Sequence, residues 1–75
     1  MSDTSLPAPD AALLLSLGSS VMPFGKYKDY KLKDIPVYYL EWMARNGFPK
    51  GKLGMQLQTL HVIKTNGLEY LLKAI

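Results

Sequence analysis

A chain of 75 residues that is 48% hydrophobic and 20% charged holds one small domain and argues against disorder. A chain this short buries only about 60% of its unfolded surface, so its stability is marginal and a homodimer could supply missing burial. Without cysteine there are no disulfides and no cysteine-ligated zinc, which permits a reducing compartment.

The net charge of +3 is uneven. All nine bases follow residue 20, and nine bases against four acids leave residues 21–75 at +5. That balance suits an anionic partner such as DNA or RNA, or a membrane surface, and it also serves plain solubility.

Residues 1–7 carry Ser, Asp, Thr and Pro without a period and are expected to be a disordered tail, leaving residues 8–75 as a single globular domain. Pro9 and Asp10 then introduce a short helix to about Leu17, with Leu13, Leu14 and Leu17 on one face and Gly18 as a left-handed end. The apolar run 11–17 resembles a signal-peptide core, but acids precede it and it is only seven residues long. No window approaches the roughly 20 apolar residues of a membrane span, so the expected setting is cytoplasmic, with no membrane partner.

The stretch from Met22 to Pro36 sets four of the nine bases within eight positions and interleaves them with Tyr27 and Tyr30. It predicts a short basic β-hairpin, with Val21 to Phe24 and Tyr30 to Lys33 as arms. Leu32 alternates with Lys31 and Lys33, Asp29 sits where the turn reverses, and Pro23 confines the first arm to an edge.

Pro36 opens a helix to about Asn46. Leu40, Met43 and Ala44 form its apolar face, widened by Tyr39 and Trp42. Gly47 and Phe48 predict a Schellman end. Leu53, Leu57, Leu60 and Ile63 mark a helix over about 52–65, in which Gly54 costs roughly 1 kcal/mol of propensity and suggests a close helix or hairpin crossing. Asn66-Gly67-Leu68 predicts a second Schellman end, and a last short helix covers about 68–73. The expected class is therefore α+β: an N-terminal helix, a short β-hairpin, then three helices around one core.

These motifs, taken together, resemble a small bacterial family of putative quorum-sensing-regulated virulence factors. The segments that carry the resemblance are Met22-Pro23-Phe24-Gly25-Lys26-Tyr27-Lys28, Pro36-x-x-Tyr39-Leu40-x-Trp42, Gly47-Phe48-Pro49-x-Gly51-x-Leu53-Gly54 and Asn66-Gly67-Leu68-Glu69-Tyr70-Leu71. They stand in order over roughly residues 10–72. One departure is Asp29, where the family usually has glycine. The resemblance implies no activity, since the family is a domain of unknown function whose name reflects regulation. A similar Phe-Gly-Lys-Tyr-Lys segment is appended to some DnaQ-like exonuclease domains, an analogy that points to a nucleic-acid setting and carries over no catalytic residue.

Catalytic chemistry finds no support. Gly25-Lys26 is not a phosphate loop, because Ser20 stands where the first glycine belongs and Tyr27 where Ser or Thr belongs. His61 is the one histidine and has no second ligand for a metal. No metal, cofactor or enzymatic activity is expected. Lys26, Tyr27, Lys28, Tyr30, Lys31 and Lys33 are the candidate nucleic-acid site, with lysines on phosphates and tyrosines under bases. The plainer account has both rings covering the hairpin, and the lysines forming a solvated rim that discourages edge pairing. The alternative function is a protein-interaction module, with another protein or itself as partner, using an exposed aromatic face of Tyr38, Tyr39 and Trp42.

Overall fold

The computed structural model describes residues 11–73 and 75. Among the described residues three α-helices carry the fold: α1 (Ala11–Ser19), α2 (Val37–Asn46) and α3 (Gly51–Thr65). Two 3₁₀ turns, Leu32–Asp34 and Glu69–Leu72, complete the order. The expected 1–7 tail and the Pro9-Asp10 helix start lie outside the described residues.

The α+β expectation is overturned, because the described residues contain no strand. The stretch expected to be a hairpin pairs at a single antiparallel bridge, Val21 to Lys31. Pro23 has no N–H to extend a ladder, and Gly25 (φ 81°) and Asp29 (φ 72°) wind residues 24–30 into successive turns. The loop closes on itself instead. Met22 N donates to Tyr30 O at 2.8 Å, Asp29 N to Met22 O at 2.8 Å, and Leu32 N to Ser20 O at 3.0 Å. Met22, Leu32 and Ile35 are fully buried. Leu32 does point inward and Lys31 outward, but a 3₁₀ turn produces that alternation.

α3 is the central element, and both other helices pack on it. Its buried residues are Gly54, Gln56, Leu57, Leu60 and Ile63. Gln56 is a buried polar side chain that apolar periodicity does not reveal. Its Nε2 donates to Ser16 Oγ (2.8 Å) and Ser20 Oγ (3.2 Å), tying α3 to the end of α1. Such satisfaction is required, since an unpaired buried amide costs about 1–3 kcal/mol.

Three glycines depart from expectation. α1 runs through Gly18 to Ser19, and the missing Cβ of Gly18 admits the backbone of Ile75, which would lie 2.8 Å from it. Gly54 has no hairpin across it; a Cβ there would meet Pro49 O at 1.8 Å, so α3 folds tightly back on its own leading turn. The α2 end is not a Schellman motif: Gly47 sits at φ 108°, ψ 131°, and its N–H bonds to Met43 O at 2.6 Å. The α3 end is one, with Gly67 at φ 71° and Leu68 N donating to Ile63 O at 3.0 Å.

A candidate aromatic and basic surface

α2 buries Leu40 and Met43 and so turns Tyr38 and Trp42 outward, each about half exposed. Tyr39 lies between, half-buried. The 22–31 loop lies against these rings. Tyr27 enters the core at 8% exposure, and its ring meets Tyr39 edge-on with centroids 4.9 Å apart. Tyr30 also meets Tyr27, at 5.3 Å and 88°, and stays half exposed. Tyr39 stacks on Trp42 at 5.8 Å and 16°. Four rings thus run without a break from the loop to the helix. Gly25 lets the loop approach, because a Cβ there would stand 3.3 Å from the Tyr39 hydroxyl.

The two sets of residues that the sequence offers as rival sites therefore meet in part: Lys26, Tyr27 and Tyr30 of the loop join Tyr38, Tyr39 and Trp42 of α2. Lys26 lies at their junction, with its Nζ 5.7 Å from the Tyr27 ring centroid and 5.8 Å from that of Tyr38. Those distances suit cation–π attraction. Beneath it the Tyr27 and Tyr38 hydroxyls share a short hydrogen bond. That bond holds the Tyr27 proton, which burial and the neighbouring phenols retain further, so its pKa is pushed up to about 12. The same bond, helped by the Lys26 charge, lowers the pKa of Tyr38 despite desolvation.

The six expected site residues divide. Lys26, Lys28, Tyr30 and Lys31 are exposed. Tyr27 is buried and offers no face to a ligand; it mounts the other rings. Lys33 is half-buried and its Nζ donates to Ile75 O at 2.7 Å, which makes it a tie between the loop and the last residue. Trp42 and Tyr38 take over as the accessible rings. Their i, i+4 spacing put them on one helix face in the sequence, but nothing there placed that face beside the lysines.

Elsewhere, His61 is half-buried with its ring 6.1 Å from Phe48. Among the described residues no three His, Cys, Asp or Glu side chains gather as a metal site. No described helix is long and apolar enough to cross a membrane.

The comparisons with known proteins carry a family and no activity. A family model described as "Putative quorum-sensing-regulated virulence factor" matches residues 10–75. Proteins of Escherichia coli strain K12 and of Escherichia coli O157:H7, each titled "Uncharacterized protein YpeB", are 46% identical to the chain over 63 residues. The alignment covers 83% of this chain and 88% of each of theirs. No solved structure matches.

Proposed function

The chain belongs to the family described as putative quorum-sensing-regulated virulence factor, and from that premise we propose that it is a non-enzymatic cytoplasmic module that binds nucleic acid. The observation that carries this is the position of Lys26, whose ammonium lies among rings from both the loop and α2. Exposed lysines beside exposed aromatic rings suit phosphate and base chemistry together. Charge complementarity points the same way, with +5 over residues 21–75.

Three loop lysines are exposed: Lys26, whose ammonium overlies two rings and is hydrogen-bonded to Tyr38, Lys28 and Lys31. Three phosphate contacts correspond to a log–log salt slope of about −2 to −3. Fluorescence anisotropy with labelled mixed-sequence oligonucleotides across a sodium chloride series measures it. Changing Lys26, Lys28 and Lys31 together to Gln should flatten the slope and remove binding, with helical circular dichroism retained. Lys33→Gln should leave the slope nearly unchanged. Absence of oligonucleotide binding at low salt, where the electrostatic contribution is largest, defeats the proposal. Tyr38 and Trp42 are residue types that anchor protein interfaces. A protein partner or a second copy would then take the surface, with the copy detected by sedimentation.

A further inference from the structure

The ring mounts define which nucleic acid this surface suits. Trp42 is half exposed and lies nearly parallel to Tyr39, 5.8 Å away. Tyr39 is held edge-on by the buried Tyr27, with its hydroxyl close over Gly25. Tyr30 is half exposed and meets the Tyr27 ring edge-on. Both outer rings thus already rest on a neighbouring ring, which lowers the side-chain freedom that stacking on them must remove. Lys26 stands near the middle of the row, over Tyr27 and Tyr38.

Building on the nucleic-acid reading, we propose that the ligand is a single strand, with one base stacked on Trp42, another on Tyr30, and the intervening backbone at Lys26. A duplex hides its base faces in its own stack and can use only the lysine. A single strand offers base faces and phosphates together, and stacking of this kind tolerates sequence because every base has a π-face. Tyr27, the ring that sequence places between Lys26 and Lys28, acts here as the mount.

Trp42 is the chain's one tryptophan, so its emission reports the proposed stack directly. The wild-type chain is titrated at low salt with a mixed-sequence DNA single strand, the matching RNA single strand, and the DNA duplex. Anisotropy of the labelled strand and Trp42 emission are read together. The expected result is single-strand binding about tenfold or more tighter than duplex binding, with Trp42 emission quenched in step with single-strand saturation. Comparing DNA with RNA tells which single strand is preferred. Trp42→Leu should weaken single-strand binding by roughly tenfold, the loss of one base stack, and leave duplex binding within about twofold. Tyr30→Ala should do the same, and Lys26→Gln should weaken both and reduce the salt slope by about one contact. Equal affinity for strand and duplex with unquenched emission overturns the single-strand assignment and leaves nucleic-acid binding standing. No binding to any of the three probes overturns both.

Discussion

Asp29 holds φ 72°, the only described non-glycine residue at positive φ. Left-handed backbone costs an L-residue about 1–2 kcal/mol, less for Asp. A glycine at this position would carry no such cost. Asp29→Gly should stabilise by at most about 1 kcal/mol, since relief of strain is partly offset by unfolded-state entropy. Asp29→Val should destabilise by about 1–2 kcal/mol. A lower denaturation midpoint for the glycine variant would show that the aspartate contributes something other than tolerance of the turn. The tyrosine pair makes a second residue-level test. With five tyrosines in the chain, an alkaline absorbance titration should show one ionising below the ordinary value near 10 and one at about 12. Tyr38→Phe should remove the early step and let Tyr27 fall back, because the hydrogen bond that holds its proton is gone. The sign for function follows: as pH rises and Tyr38 ionises, a negative charge appears beside Lys26, and phosphate binding should weaken. Five tyrosines titrating together would sink the assignment.

At the scale of elements, glycine positions separate what sequence reveals from what it does not. Asn66-Gly67-Leu68 spelled a Schellman end and forms one, because the motif is local and Leu68 needs only Ile63. Asn46-Gly47-Phe48 reads alike but ends differently. Phe48 must lead at once into Pro49 and the tight return over Gly54, so the chain leaves α2 extended at φ 108°, ψ 131°. That region belongs to glycine more strictly than the left-handed helical one. Gly47→Ala should therefore cost more, about 1–3 kcal/mol, than Gly67→Ala at about 1 kcal/mol. Gly54→Ala should cost about 1–3 kcal/mol as well, since a backbone carbonyl must move. Equal urea midpoints for the Gly47 and Gly67 variants would mean the two ends are built alike. The second and third helices were legible within a residue, because apolar spacing and proline mark them. The turns between them and α1 were not, since the hairpin expected there is absent. The alternation around Leu32 is shared by a strand and by a 3₁₀ turn, and period alone does not separate them over three residues. The site was half legible for the same reason. Lysines and rings are visible in the sequence, but burial of Tyr27, capture of Lys33 by Ile75 and the docking of the loop on α2 are tertiary facts.

Over the whole molecule, the lysines that suit a phosphate backbone also repel one another. Lys26, Lys28, Lys31 and Lys33 fall within eight positions, and Asp29 and Asp34 are the only acids in or next to that stretch. A small core has little stability to spare against such a concentration of one sign. Salt should therefore act in opposite directions on the two properties. Raising sodium chloride from about 10 mM to 150 mM shortens the Debye length from about 30 Å to 8 Å and screens the repulsion, so Tm should rise. The gain should stay below about 1 kcal/mol, or a few degrees for a chain of this size. Over the same range oligonucleotide affinity should fall with the slope given above. Lys28→Gln and Lys31→Gln should raise Tm at low salt, lose that advantage at 150 mM, and bind oligonucleotide more weakly throughout. Lys33→Gln should behave otherwise. Its ammonium holds Ile75 O, so its removal should lower Tm at every salt concentration and barely change binding. Thermal melts by circular dichroism, run beside the anisotropy series, measure both. If added salt lowers Tm, and if Lys28→Gln and Lys31→Gln are destabilising at low salt, then these lysines are held favourably by the fold's own field. They would then be part of how the molecule is stabilised, and the case for an external anion at this surface would lose its electrostatic basis.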